Sequence, residues 1–150
     1  MIGLQKIIAS CFGIGYIKGG GTIAALLCCV PWYLLSAKGV YQQESLAITI
    51  AVTVLGVWVA KGVENNWGKD SSRVVIDEVA GMMISLLFVP VTLPYIVTGF
   101  ILFRLLDITK PLLIRKTEML PGGWGVMMDD ILAGVYANLI LHTIMWLNIF

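Results

Sequence analysis

The chain has 150 residues, 59% of them apolar and only 13% charged, with a mean hydropathy of +0.91. A soluble domain carries about 25% charged residues, so a surface this poor in charge excludes an ordinary water-soluble protein and fits a polytopic membrane protein of one domain, residues 1–150. A net charge of +1 creates no field that would draw nucleic acid.

Met1–Lys18 reads as a short, weakly amphipathic segment, helical at first and lying at the membrane interface. Its apolar run is broken by Gly13 and Gly15 and carries one lysine before Tyr16, so it does not read as a cleavable signal peptide. Residues 13–22, GIGYIKGGGT, are too rich in glycine for a helix interior. They predict a loop whose backbone N–H groups face an anion, with Thr22 as N-cap of the next helix, although a plain connecting loop also accounts for them. Cys11, Cys28 and Cys29 lack CxxC spacing and a neighbouring histidine, and read as apolar packing residues.

Ile23–Ala37, with Pro31 inside it, and Leu46–Ala60 are apolar runs separated by a polar turn at Lys38–Glu44. Completed by their flanks to the ~20 residues a span needs, they predict a transmembrane hairpin. Gly62–Ser72 is polar. The apolar stretch Val79–Phe103 contains VPVTLP at 89–94 and admits two topologies, a single kinked span or a hairpin turning at Pro90–Pro94. Arms from about Arg73 to Val89 and from about Tyr95 to Thr109 are roughly 25 and 22 Å long at 1.5 Å per residue, close to a ~30 Å hydrocarbon core. Pro111 ends the second arm, Leu112–Met128 reads as mostly irregular, and Asp129–Asp130 open a last apolar helix, Ile131–Phe150. His142 in that run reads as a satisfied helix histidine. The hairpin places every Lys and Arg except Lys38 on one side, which the positive-inside rule makes cytoplasmic. The expected fold is therefore all-α, a polytopic helical membrane protein with about five membrane-embedded helices.

On this topology five carboxylates share the cytoplasmic face: Asp77, Glu78, Asp107, Asp129 and Asp130. Carboxylates at the bilayer are costly unless paired or coordinated, and a divalent cation relieves their repulsion. Hard oxygen ligands suit Mg²⁺, which binds through one or two carboxylates together with substrate phosphate. Arg104 and Lys110 flank Asp107 at helical spacing and supply a clamp for phosphate oxygens. For each residue taken singly, a helix-capping salt bridge explains it as well. The sets that covalent phosphatases need are absent: Ile17 stands six residues after Cys11 where an arginine is required, there is one histidine rather than two, and there is no DxD motif. That leaves metal-activated water as nucleophile.

VVIDEVAG (74–81), FRLLDITKP (103–111) and GGWGVMMDDILAG (122–134) resemble, in order, the three signature blocks of the phosphatidylglycerophosphatase A family. Lys69–Asp70 fits the lead-in to the first. The resemblance implies Mg²⁺-dependent conversion of phosphatidylglycerophosphate to phosphatidylglycerol and phosphate, in phospholipid biosynthesis at the bacterial inner membrane. Two places depart from the family. Ile17–Ala24 stands where the family has a Pro-x-Ala-Pro-Gly-Thr loop followed by Gly-Ser, and Leu113 replaces the second proline of its Lys-Pro-x-Pro pattern. The expected roles are Glu78, Asp107, Asp129 and Asp130 as metal ligands, Asp77 as general base, and Arg104, Lys110 and Thr22 on the phosphate. Phosphatidylglycerophosphate and membrane lipid are the expected partners, with no obligate protein partner. A small ion transporter is the rival from another class, but it calls for ionisable residues inside the apolar runs, where only His142 lies. A lipid phosphatase for a different headgroup is the nearer alternative.

Overall fold

A computed structural model of the protein describes residues 2–37, 42–111, 113–117 and 119–149. Among them all regular structure is helical: α1 (Ile2–Ala9), a 3-10 turn (Ile14–Tyr16), α2 (Gly20–Ala37), α3 (Gln42–Trp67), α4 (Ile76–Ser85), α5 (Leu93–Thr109), α6 (Ile114–Thr117) and α7 (Gly123–Trp146). Two of these helices, α3 and α7, are long and apolar enough to cross a membrane. They differ in burial: 28% of the apolar stretch of α3 is buried and 50% of that of α7. Ile50, Val54 and Trp58 on α3 stand exposed. An apolar helix turned outward in this way has no stable place in water, and the chain is a membrane protein.

The molecule is built around α7, which packs against α3, α4, α5 and α6. One core joins α2, α4, α5 and α7 through Met82, Leu86, Phe103 and Leu141. A second, under α1 and α3, holds Ala9, Val59, Val63, Ala80 and Met127. Val75 N–H donates to the Ala9 carbonyl at 2.9 Å and ties the end of α1 to the start of α4.

Several elements depart from the sequence expectations. α3 continues through Lys61 to Trp67, so the first half of the polar segment Gly62–Ser72 is helical and the chain leaves the helix only at Gly68. Thr22 is not an N-cap: α2 starts at Gly20, after Gly19 at φ +77°, and Thr22 sits inside the first turn. α4 is shorter than the expected arm, and the chain breaks over Leu86–Thr92. Pro94 starts α5 rather than forming the bend, because proline costs nothing in a first turn whose N–H is unpaired anyway. Asp129 and Asp130 do not open the last helix. α7 begins at Gly123, with the acidic pair nearly two turns inside it. Glycine is a poor helix former, but a Cβ at Gly123 would strike the Val57 carbonyl of α3, so close packing overrides propensity there. Part of the polar turn expected at Lys38–Glu44 (38–41), and Leu112 and Glu118 of the expected linker, lie outside the described residues.

Candidate active site

Two short sequences build the centre of the site. DEVAG (77–81) on α4 and DILAG (130–134) on α7 each place a carboxylate four residues ahead of a glycine, on one helix face. The two glycines are the crossing point. A Cβ on Gly134 would collide with the Gly81 carbonyl, and one on Gly81 would meet Asp130 backbone and the Phe103 ring. With Gly81 on Gly134, the carboxylates one turn earlier must meet. Oxygens of Asp77, Glu78 and Asp130 lie within 4.8 Å of one another, with Asp77 and Asp130 buried.

α5 enters the same corner through Phe103, which is fully buried. The next residue, Arg104, donates from Nη1 to Asp107 Oδ2 at 2.6 Å. Lys110 caps α5 in the left-handed conformation at φ 46°. Its Nζ donates to Asp129 Oδ2 at 2.6 Å. All five carboxylates expected from sequence are thus gathered, although only the triplet forms a tight group.

The group is under-paired. Glu78 Oε2, Asp129 Oδ1, Asp130 Oδ1 and Arg104 Nε are buried with no hydrogen-bond partner. Buried polar atoms are almost always partnered, and carboxylates held this close repel one another. A hard divalent cation satisfies both conditions, so the residues fit Mg²⁺. Cys11 offers no competing nucleophile, since burial and the nearby Glu78 carboxylate push its thiol up to about 11.

A cavity of about 580 Å³ opens beside this group. Its walls are residues 15–22, which run from the 3-10 turn into the first turn of α2, together with Ser72, Arg73, Glu78 and Arg104. The Glu78 carboxylate rests directly on Gly21, where a side chain of any size would displace it. Thr22 and Arg104 therefore reach the cavity as expected, whereas Lys110 is not among its lining residues and faces Asp129. Sequence reasoning missed Arg73 and Lys18 on the rim. Arg73 pairs with no carboxylate among the described residues. Its guanidinium lies over the Tyr16 ring at 5.6 Å and the Trp67 ring at 6.0 Å. His142 leaves Nδ1 buried and unpartnered, so it is not the satisfied histidine expected. It lies three turns along α7 from Asp130, about 18 Å away at 1.5 Å per residue, and belongs to no part of the site.

The family model described as phosphatidylglycerophosphatase A matches residues 7–145. A protein of Bacteroides thetaiotaomicron named putative phosphatidylinositol-3-phosphatase is 41% identical, over 95% of this chain and 94% of its own. The phosphatidylglycerophosphatase A of Escherichia coli is 35% identical, over 83% of this chain and 73% of its own. That of Haemophilus influenzae is 33% identical, over 93% and 88%. No solved structure matches the chain.

Proposed function

The chain belongs to the phosphatidylglycerophosphatase A family of phosphoric monoester hydrolases, and from this we propose that it removes the terminal phosphate of phosphatidylglycerophosphate in a Mg²⁺-dependent reaction. The observation that supports the proposal is the set of under-paired carboxylates from two helices, α4 and α7, set against a cavity lined by arginine and a glycine-rich segment.

Glu78, Asp107, Asp129 and Asp130 are the residues that would hold Mg²⁺. When bound, the ion supplies Lewis acidity to the phosphoryl oxygens and an activated water. Asp77 is the general base. Its Oδ1 already accepts from the Glu78 N–H at 3.0 Å, which orients the carboxylate to take the proton from attacking water. The water oxygen bonds to phosphorus as the P–O bond to the glycerol carbon chain breaks, and the departing oxygen takes the proton that Asp77 accepted from water and leaves as the lipid hydroxyl. Arg104, with one edge committed to Asp107 and Nε free, stabilises the charge that develops on the phosphoryl group. Lys110 acts through Asp129, holding that carboxylate in place. Thr22 and the first-turn N–H groups of α2 complete the anion contact.

The same reading makes the protein multi-pass in the bacterial inner membrane, with the five-helix arrangement expected from its sequence and the site on the cytoplasmic side. The Lys and Arg clustered around the site support that side. A second reading keeps the chemistry and changes the headgroup. It is favoured by the name of the 41% identical relative and by the altered Gly19-Gly20-Gly21-Thr22 loop on the cavity wall. Phosphate release from a panel of phospholipid monoesters, with Mg²⁺ and with chelator, separates the two. Highest activity on phosphatidylglycerophosphate, lost on chelation, is expected. A preference for phosphatidylinositol 3-phosphate would transfer the assignment to the second reading, and chelator-resistant release would remove the metal.

A further inference from the structure

We propose that the groove between α2 and α5 seats an acyl chain of the lipid substrate and thereby sets the position of its headgroup. This rests on the lipid phosphatase reading above. The groove has a volume of about 910 Å³ and an almost wholly apolar lining. Cys29 and Ile96, both buried, form its floor, and the exposed side chains of Leu26, Val30, Val97 and Ile101 form its walls.

Its position carries the inference. α2 leaves the site and α5 returns to it, so the two helices line the groove in opposite directions. Leu26 follows Gly21, on which the Glu78 carboxylate rests, by five residues, and Ile101 precedes Arg104 by three. At 1.5 Å per residue the groove begins roughly 5–8 Å below the site and runs roughly 12 Å further, to Leu34 and Leu93. One leaflet of a ~30 Å hydrocarbon core is about 15 Å deep. A chain hanging from a headgroup in the cavity therefore enters the groove at its upper end and is accommodated along its length.

A helix from a second copy is a poorer occupant. Helices associate in membranes through small residues that let backbones approach. This chain follows that rule at its own contacts, with Gly81 on Gly134 and Gly123 on Val57. The groove is instead concave and walled by Leu, Val and Ile, a shape for something slender and flexible.

The test uses the full-length protein in mixed micelles, with two substrates: long-chain phosphatidylglycerophosphate and its deacylated, water-soluble headgroup. Val30→Trp and Val97→Trp each fill the groove away from the carboxylates. The expected result is a fall of roughly tenfold or more in kcat/KM for the long-chain lipid, because an ångström of misplacement can cost about a hundredfold. Activity on the deacylated headgroup is expected to be unchanged. Equal losses on both substrates, or no loss on either, would overturn the proposal. A wild-type protein that cleaves neither substrate refutes the phosphatidylglycerophosphate reading instead. A long-chain substrate with a photoactivatable acyl terminus gives a readout that needs no variant. Label on the groove residues of α2 and α5 is expected, and label spread evenly over the outer faces of α3 and α7 would overturn the proposal. So would Trp variants that change the oligomeric state while leaving both activities intact, since the occupant would then be a second copy.

Discussion

At the scale of single residues, the proposed site separates groups assigned to the chemistry from groups assigned to hold them. Asp130 is buried with Oδ1 unpartnered in the tight carboxylate triplet, so Asp130→Asn removes an oxygen donor without changing volume. The expected outcome is loss of Mg²⁺-dependent phosphate release with circular dichroism and melting behaviour preserved, and the same is expected of Asp129→Asn. Full activity in both variants would refute the site. Asp77→Asn should lower kcat by roughly 10²–10⁴-fold with little change in KM, the usual range for a lost general base. Arg73 stands on the cavity rim, over the Tyr16 ring and with no carboxylate partner among the described residues. Arg73→Ala should raise KM by about tenfold, since a hydrogen bond to a charged group contributes about 1.5–3 kcal/mol, while kcat is retained. A fall in kcat at constant KM would instead place Arg73 in the transition state. The acidic residues were legible because a chain with so few charges concentrates them in three blocks. Arg73 was not, because an arginine ahead of a membrane helix has the same local sequence whether it anchors at the interface or lines a cavity.

At the scale of elements, the crossing of α4 and α7 decides whether a site exists. Gly81 and Gly134 touch with no space for a side chain. Gly134→Leu should force the helices apart, lowering thermal stability by about 1–3 kcal/mol, as overpacked cores do, and abolishing activity in the fraction that still folds. Gly3→Ala, where a Cβ meets nothing, is the control. One helical turn beyond Gly134, Asn138 donates its side-chain amide to the carbonyls of Ser85 and Leu87 at 3.1 and 2.8 Å. These groups lie where α4 has ended within an apolar surrounding, and Asn138 supplies partners that water cannot. Asn138→Leu leaves both carbonyls unpaired and should destabilise the fold by about 1–3 kcal/mol for each, read as a lower melting temperature in detergent. An unchanged melting temperature would mean that another group caps α4. The break between α4 and α5 was legible in Pro90 and Pro94. The helical start of α7 at Gly123 was not, since PGGWG is turn-like by local propensity and becomes helical only against α3.

At the scale of the whole molecule, α7 forms the axis, and the site lies where α4 and α7 begin and α5 ends. The cytoplasmic placement is tested by single cysteines at Lys18 and Lys69 in a chain lacking its native cysteines. A membrane-impermeant thiol reagent should label both only after the cells are permeabilised. Labelling of either in intact spheroplasts would invert the topology and move the site to the other face.

Composition and pattern by themselves determined the helical architecture and the chain reversal after α4, and they singled out the five carboxylates proposed here as the site. Each of these follows from local rules: apolar runs need lipid, prolines interrupt helices, and scarce charges near a bilayer require a partner. Only the tertiary structure decided that Asp129 and Asp130 lie within α7, that Lys110 pairs with Asp129 rather than lining the cavity, and that Gly21, in the first turn of α2, lies against Glu78. Those outcomes depend on how closely two backbones approach. Gly81 and Gly134 permit the approach, but a glycine in sequence does not say which neighbour it will admit.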